Sequence, residues 1–158
     1  MTITQTHKTA IVTGGSRGIG RAICLELASR GIQIAFCGRS LNANTVSLEE
    51  ELRGMGVEAK AYALNAADHE AAKAFVADVL RDFGTIDYLV NNAGITRDGL
   101  LMRMDEEQWD SVIGANLKSV FNVTSAVIPI MIRARSGAIV SLSSVVGLHG
   151  NALSLIHI

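Results

Sequence analysis

Three glycines near the N-terminus have the spacing of a phosphate-binding turn. Gly14, Gly18 and Gly20 lie between an apolar run, residues 9–12, and a segment with apolar side chains at helical spacing, residues 21–28. A glycine-rich turn between a strand and a helix presents backbone N–H groups to an anion, and the helix dipole adds to the attraction. The loop alone is also compatible with a glycine-rich turn that binds nothing. We predict a pyrophosphate site formed by the whole loop: Gly14, Gly15, Ser16, Arg17, Gly18, Ile19 and Gly20.

The residues after the second predicted strand, residues 32–37, indicate which dinucleotide binds. A site for NAD normally has an acidic residue about 20 positions after the glycine-rich loop, where the carboxylate binds the ribose 2′-hydroxyl. This sequence has no carboxylate there but has Arg39, and Arg17 lies within the loop itself. Guanidinium groups pair with a 2′-phosphate through two parallel hydrogen bonds. Two solvated surface arginines are the alternative, and we predict NADP(H) as the cofactor.

A second small-residue motif, Asn91-Asn92-Ala93-Gly94, follows the fourth predicted strand, residues 86–90. Small residues at the carboxyl end of a strand would allow the nicotinamide half of a dinucleotide to lie against the backbone. The two amide side chains would hold the loop in place. Ordinary turn chemistry is the alternative for such a sequence. We predict that the cofactor contacts the last three residues of the motif, Asn92, Ala93 and Gly94.

The elements that must position these residues alternate between strand and helix. Apolar runs predict strands at residues 9–12, 32–37, 57–64, 86–90 and 138–142, with amphipathic helices between them. Asp68 is placed to cap one helix, and Asp105 with Gln108 has the spacing of a capping box at the start of a long helical region. Asn116 lies within that region, where an amide is a poor helix former and is often a surface or back-bonded residue. We expect the run Glu49–Glu51 to be a solvated helix face.

Composition limits the classes of function. The chain has 158 residues, enough for one domain with a real core, and 49% of them are hydrophobic. A net charge of −1 without a dense basic stretch gives no support to nucleic-acid binding. Residues 1–8 lack the apolar segment of a secretory signal, and the apolar stretch at residues 120–132 is too short and too polar to span a bilayer. Cys24 and Cys37 are too few for a disulfide framework. We therefore expect a cytoplasmic protein without membrane association and without a metal site.

The motifs together resemble the short-chain dehydrogenase/reductase family. They are T-G-x-x-x-G-I-G from Thr13, N-N-A-G from Asn91, the mid-helix Asn116 and the turn S-S-V-V-G from Ser143. The stretches 95–98 and 101–104 and the same serine turn look like those of 3-oxoacyl-[acyl-carrier-protein] reductases. The resemblance covers residues 8 to about 152 and implies an α/β fold with a doubly wound parallel sheet in the order 3-2-1-4-5. Residues 1–151 would form an incomplete Rossmann-type NADP-binding domain that lacks the last strands of the family.

The resemblance also implies an activity, the NADPH-dependent reduction of a 3-oxoacyl thioester on acyl carrier protein in fatty acid biosynthesis. In the family a serine orients the ketone, a tyrosine donates the proton and a lysine lowers the pKa of the tyrosine. Ser144 matches the family serine, with Ser143 as the second choice, and Asn116 matches an asparagine that holds an ordered water. Asn65 and Ala66 match a pair in which the family usually has an aspartate near the adenine. The family also assembles as tetramers, partly through the long helix.

The Tyr-x-x-x-Lys pair of the family is absent from this sequence. No tyrosine follows Ser144, and the last lysine is Lys118. The family tyrosine is expected near position 157, where this chain has His157, an imidazole that could titrate near neutral pH. The sequence departs from the family after Asn151, so we interpret residues 152–158 as an aberrant tail from a frameshift, a vector or a truncated gene model. We expect no catalytic role for His157.

Three functions therefore remain open at this stage. The chain is either the front part of a longer reductase and inactive alone, or a non-catalytic nucleotide-binding or interaction module. A reductase of another small ketone is the third possibility.

Overall fold

The computed structural model describes residues 7–149 and contains a five-stranded parallel sheet in the order β3-β2-β1-β4-β5. This order confirms the predicted doubly wound topology. The last three strands are shorter than the predicted apolar runs, whereas β1 is one residue longer and β2 is shifted by one residue. Their bounds are Thr9–Thr13 for β1, Gln33–Gly38 for β2, Ala59–Ala63 for β3, Tyr88–Asn91 for β4 and Ala138–Ser141 for β5.

Helices connect the strands on both faces of the sheet. They are α1 Gly18–Ser29, α2 Ala43–Gly54, α3 His69–Phe83, α4 Glu106–Ile113, α5 Ser119–Ala134 and α6 Val146–His149. A π-helical turn, Gly114–Lys118, joins α4 to α5, and a 3₁₀ turn, Leu101–Arg103, precedes α4. Asp68 accepts the Ala71 N–H at the start of α3, and Asp105 forms a full capping box with Gln108, as predicted. Asn42 forms a further capping box at the start of α2.

Two apolar cores lie on opposite faces of the sheet. On one face, Ile11 and Leu89 pack with residues of α3 and α5, and on the other face, Val12 and Phe36 pack with residues of α1 and α2. Every residue of β1 is buried, as expected for the central strand of a parallel sheet that is covered on both sides. The strands therefore have continuous apolar sequences rather than alternating ones.

The strand order reverses between β1 and β4, which are neighbours in the sheet although two strands separate them in sequence. Their register pairs Val12 with Val90. The turns at the carboxyl ends of these two strands consequently meet at one edge of the sheet. In open α/β sheets this edge is where ligands bind.

The acidic run on α2 is solvated at Glu50 and Glu51, as predicted, but Glu49 is half-buried. The Glu49 carboxylate accepts the backbone N–H of Ala61 at 2.8 Å and also pairs with Arg53. Glu50 and Glu51 are both exposed, and Glu51 forms an ion pair with Arg21 of α1. Because Ala61 lies on the edge strand β3, its N–H has no neighbouring strand to bond, and Glu49 supplies the acceptor.

The helical stretch Glu106–Ala134 is long and apolar enough, by length and composition, to cross a membrane. Its α5 portion packs on the sheet through Val123, Val127 and Met131, which are all buried. A core helix of a sheet-containing domain gives the same pattern. Length and hydropathy alone are therefore weak evidence for a membrane span.

Apolar side chains of the α4–α5 region remain exposed on the side away from the sheet. Strand β5 is exposed as well. Phe121 and Ile132 are 63% and 70% exposed, and all four residues of β5 are exposed. Among residues 7–149, no element covers either surface. Exposed apolar side chains and an open strand edge both favour association.

We therefore expect the chain to self-associate in a concentration-dependent manner when it is followed by light scattering. Ile132→Asp should reduce the association, because it places a charge in the apolar surface of α5. Val46→Asp is the matched control, since Val46 is similarly exposed but lies on α2, on a different surface. A monodisperse monomer that unfolds cooperatively would show that these surfaces do not drive association.

Candidate functional site

The glycine-rich turn connects β1 to α1 with two residues in the left-handed region. Gly14 has φ +66° and Gly18 has φ +54°, conformations that a side chain disfavours. Helix α1 starts at Gly18, and no side chain of the described residues caps it, whereas α2, α3 and α4 each have a side-chain cap. The N–H groups of its first turn are thus available to an anion that enters the adjoining cleft.

The turn is in tight contact with the N-N-A-G loop. A Cβ on Gly14 would lie 2.9 Å from the Ala93 Cα, and a Cβ on Gly20 would collide with the Gly14 carbonyl oxygen and approach the Asn92 Nδ2 to 2.5 Å. Gly15 has a different constraint, because its Cβ would lie 2.7 Å from that of Phe36. Close packing therefore requires glycine at these three positions, and at Gly14 the backbone conformation does so as well.

Thr13 and Asn92 join the two loops through four hydrogen bonds. The Asn92 amide donates to the carbonyl oxygens of Thr13 and Gly14, both at 3.0 Å. The Thr13 hydroxyl accepts the backbone N–H groups of Asn92 and Ala93, also at 3.0 Å. Thr13 had no predicted role, although its position at the end of a strand, next to a glycine-rich turn, was a signal that could have identified it.

Asn91 holds the same loop from the other side. Its amide donates to the hydroxyls of Thr124 on α5 and Ser141 on β5, at 3.1 and 3.2 Å. The two adjacent asparagines thus hold the loop as the sequence predicted, one toward β1 and one toward β5. The loop is consequently anchored to three neighbouring elements.

A cleft of about 620 Å³ opens at this edge of the sheet. This volume lies within the range of small-molecule and cofactor sites. Twelve of the thirteen residues predicted to bind the cofactor line it: Gly14, Ser16, Arg17, Gly18, Ile19, Gly20, Arg39, Asn65, Ala66, Asn92, Ala93 and Gly94. The thirteenth, Gly15, lies behind the turn, where its N–H donates to the Cys37 carbonyl oxygen at 3.1 Å.

Nine further residues line the cleft without having been predicted. Most adjoin a predicted residue at the carboxyl end of a strand, so strand-end position was the signal that could have identified them. They are Cys37, Gly38, Ser40, Asn42, Asn44, Leu64, Ala67, Ile95 and Ala115.

The charge of the cleft wall is positive. Arg17 and Arg39 are exposed and line the cleft, and no aspartate or glutamate is among its described lining residues. Within residues 7–149, neither arginine forms an ion pair with a carboxylate. The glycine turn, the uncapped helix and the two guanidinium groups are donors suited to a phosphorylated dinucleotide, so the residues present fit such a cofactor.

Asn116 lies in the π-helical turn and does not line the cleft. Its side chain pairs with the main chain of Ile95, accepting the N–H at 2.8 Å and donating to the carbonyl oxygen at 2.9 Å. Ile95 directly follows the N-N-A-G loop and lines the cleft. Asn116 therefore holds that segment in place through two hydrogen bonds. Its second amide N–H is not used by Ile95.

Ser144 lies in the loop after β5, where its hydroxyl accepts the Val146 N–H at 3.2 Å. Ser143 and Ser144 are both exposed and outside the cleft lining. Their loop starts beside the N-N-A-G loop, because Leu142 donates its N–H to the Asn91 carbonyl oxygen at 2.9 Å. His157 lies outside the described residues.

The two cysteines are buried and unreactive. Burial raises the pKa of both the Cys24 and the Cys37 thiol to about 12, so neither is a thiolate at neutral pH. Within the described part of the chain, no group of three or more His, Cys, Asp or Glu side chains could hold a metal ion. The chemistry of the site rests on hydrogen-bond donors and on the two arginines.

Comparison with known proteins gives consistent matches along this chain. A family model described as short chain dehydrogenase matches residues 8–156. The 3-oxoacyl-[acyl-carrier-protein] reductase FabG of Staphylococcus aureus is 51% identical over 144 residues, which cover 91% of this chain and 58% of that protein. The protein of the same name from Thermotoga maritima is 48% identical over 144 residues, with the same two coverages.

A solved structure gives the same picture of the fold. A Sinorhizobium meliloti 1021 protein assigned as a short-chain alcohol dehydrogenase superimposes with a TM-score of 0.90 at 33% identity, covering 95% of this chain and 59% of that one. The chain thus spans under two thirds of the length of the proteins it matches.

Proposed function

The chain belongs to the short chain dehydrogenase family, and on this premise we propose that it is the cofactor-binding part of an NADPH-dependent 3-oxoacyl-[acyl-carrier-protein] reductase. One observation carries the proposal. The glycine-rich turn and the N-N-A-G loop meet in one cleft that contains two arginines and no described carboxylate. The name shared by the Staphylococcus and Thermotoga relatives supports the choice of substrate class.

Pyrophosphate would be bound by the turn from Gly14 to Gly20 and by the uncapped start of α1. Arg17 and Arg39 would pair with the ribose 2′-phosphate, and Asn65 and Ala66 would lie beside the base. When bound, the cofactor supplies a hydride to the ketone. The loop at Asn92, Ala93 and Gly94 would leave space for its nicotinamide half. Alanine and glycine are small, and the Asn92 amide is bonded to the carbonyl oxygens of Thr13 and Gly14.

The remaining chemistry is assigned to two residues. Ser144 would hydrogen-bond the ketone oxygen of the substrate, and its exposed hydroxyl is compatible with that task. Asn116 would hold an ordered water through the amide N–H that Ile95 does not use. We assign residues 1–151 to this domain and residues 152–158 to a tail outside it.

The proposed setting is the bacterial cytoplasm, with acyl carrier protein delivering the substrate and a homo-oligomer as the functional form. The exposed apolar surface of α4 and α5 supports the oligomer, because such a surface is stabilised when a second subunit covers it. The substrate and the carrier rest on the names of the relatives alone.

A non-catalytic nucleotide-binding module is the second candidate. It is favoured by the absence of any tyrosine after Ser144 among the 158 residues. Both candidates share the dinucleotide cleft. They differ in whether the chain catalyses ketone reduction once a proton donor is supplied, and the activity experiment in the Discussion separates them.

Cofactor preference gives a direct test of the cleft. We expect the chain to bind NADPH more tightly than NADH in calorimetry, and Arg17→Ala with Arg39→Ala to remove the preference. A bidentate arginine–phosphate contact contributes about 1.5–3 kcal/mol, which is about 10- to 150-fold in the dissociation constant. Because both side chains are exposed, the lower end of this range applies.

Arg133→Ala is the matched control, since Arg133 is an exposed arginine at the end of α5, outside the cleft lining. It should leave both dissociation constants unchanged. Equal affinities for the two cofactors, or a preference that survives the double substitution, would contradict the assignment of NADP(H).

A further inference from the structure

Asn122 is a fully buried amide on α5, which packs against α3 largely through apolar side chains. The side chains around this contact are apolar and buried: Phe75, Val76, Val79, Val123, Val127 and Met131. A leucine has the same branched shape and would need no hydrogen bonds there. An amide in such a place is disfavoured unless both of its ends find partners.

Both ends of the Asn122 side chain are bonded. Its Nδ2 donates to the Ala66 carbonyl oxygen at 3.0 Å, and its Oδ1 lies 3.1 Å from the Nδ1 of His69. A carbonyl oxygen can only accept, so the NH₂ end must face Ala66 and the oxygen must face His69. The His69 Nδ1 consequently carries a hydrogen. The ring of His69 also stacks on Phe121, with centroids 6.1 Å apart and planes 15° apart.

The partner of Asn122 belongs to the cleft. Residues 65–67, here called the lip, connect β3 to α3, and all three line the cleft. Inside the lip, the Asn65 side chain accepts the Ala67 N–H at 3.3 Å, and the Asn65 carbonyl oxygen accepts the Asp68 N–H at 3.0 Å. These bonds shape the lip locally but do not attach it to the rest of the molecule.

Attachment of the lip comes from the other side of the α3–α5 contact. The bond from Asn122 to Ala66 joins the lip to α5. The π-helical turn lies next to the lip, since a Cβ built on Gly114 would be 3.5 Å from the Ala67 Cβ, but it supplies no hydrogen bond to it among the described residues. His69, at the start of α3, orients the Asn122 amide so that its NH₂ group faces the lip.

We propose that Asn122 is a positioning residue for dinucleotide binding, because it fixes the lip through the Ala66 carbonyl oxygen. This inference rests on the proposed function, since it takes the cleft to be a dinucleotide site. Asn122 does not line the cleft, so it would affect a ligand only through the lip. Asn122 orders the lip before the ligand binds. Without this hydrogen bond, the lip would have to become ordered on binding, and that entropy cost would lower the affinity.

The test measures the NADPH dissociation constant by calorimetry and the hydrogen exchange of the lip without ligand. In Asn122→Leu we expect the dissociation constant to rise about tenfold, the factor that corresponds to one lost hydrogen bond at the upper end of the usual range. Exchange at the amides of residues 65–68 should become faster while exchange at Val123 and Val127 does not change. Asn122→Asp should weaken binding as well, because a carboxylate still accepts from His69 but cannot donate to Ala66.

Ser125→Ala is the matched control on the same turn of α5. Its hydroxyl donates to the backbone oxygen of Asn122 at 3.0 Å and does not reach the lip. The control should leave both the dissociation constant and the lip exchange unchanged. If Asn122→Leu does not fold, Asn122→Asp gives the decision by the same two measurements.

The outcomes distinguish this inference from the proposed function. An unsubstituted chain that binds no NADPH would contradict the proposed function, and the lip exchange would still test the bond to Ala66. An unsubstituted chain that binds NADPH, together with folded Asn122 variants whose affinity and lip exchange are unchanged, would overturn the positioning role alone. Equal effects in the Ser125 control would also overturn it.

Discussion

We expect no measurable NADPH oxidation when the chain is mixed with a 3-oxoacyl thioester, and clear turnover when residues 1–151 are joined to the C-terminal part of the Staphylococcus aureus relative. Reduction of a ketone requires a proton as well as a hydride, and a positioned acid contributes about 10²–10⁴ in rate. A serine hydroxyl is too weak an acid to supply that proton alone. No tyrosine follows Ser144 in this chain, and we expect the C-terminal part of the relative to supply the tyrosine that the family resemblance implies.

Within the active fusion, Ser144→Ala should lower kcat by about 10²–10³, as expected for the loss of one hydrogen bond to a developing oxyanion. Ser143→Ala is the matched control, because Ser143 is the adjacent serine with the same exposure. We expect it to retain most of the activity. Steady-state oxidation of NADPH, followed by its absorbance, measures both variants.

Two results would contradict this assignment. The first is turnover by the unfused chain that His157→Ala abolishes, which would make the histidine a catalytic acid. The second is loss of activity in Ser143→Ala with activity retained in Ser144→Ala. A fusion that folds and binds NADPH but never turns over would favour the non-catalytic module.

The second large effect concerns Gly20. We expect Gly20→Ala to abolish detectable NADPH binding, because its Cβ would collide with the carbonyl oxygen of Gly14, and a backbone atom cannot move aside as a side chain does. The turn and the N-N-A-G loop would have to separate. Such overpacking lowers the free energy of unfolding by about 1–3 kcal/mol. Calorimetry and urea unfolding measure the two effects.

Gly54→Ala is the control for this substitution. A Cβ on Gly54 meets no atom within 4 Å, and the residue ends α2 in an ordinary conformation. Alanine there should leave NADPH binding unchanged and leave stability unchanged or raised by about 0.4–1 kcal/mol. Normal binding by a Gly20→Ala protein would mean that the close contact with Gly14 is not needed for the site.

Much of the fold was predictable because its signals are local. Apolar runs, cap residues and glycine spacing predicted the strands, the start of α3 and the cleft loops, and the family resemblance implied the strand order. Gly15 shows the limit of this reasoning. Its place in the motif suggested contact with a ligand, but the side of the turn on which it lies depends on Phe36, a residue of the next strand.

The parts that could not be predicted depend on which elements become neighbours. The sequence predicted a solvated environment for Glu49. Its carboxylate instead accepts a backbone N–H, because β3 lies at the edge of the sheet. Asn122 lies 56 residues from Ala66, so no local pattern could indicate their hydrogen bond. Asn116 likewise pairs with Ile95 across 21 residues. Polar contacts between distant segments have no periodicity in the sequence.

The central claim is that the cleft at the carboxyl edge of the sheet binds NADPH, and a titration of the isotope-labelled chain with NADPH, followed by NMR, tests it most directly. We predict saturable shifts of backbone amides in the glycine turn, residues 14–20, and in the loop at residues 92–94, with amides at the opposite edge of the sheet near Gly31 and Gly56 unchanged. Absence of saturable shifts, or shifts centred on that opposite edge, would contradict the claim.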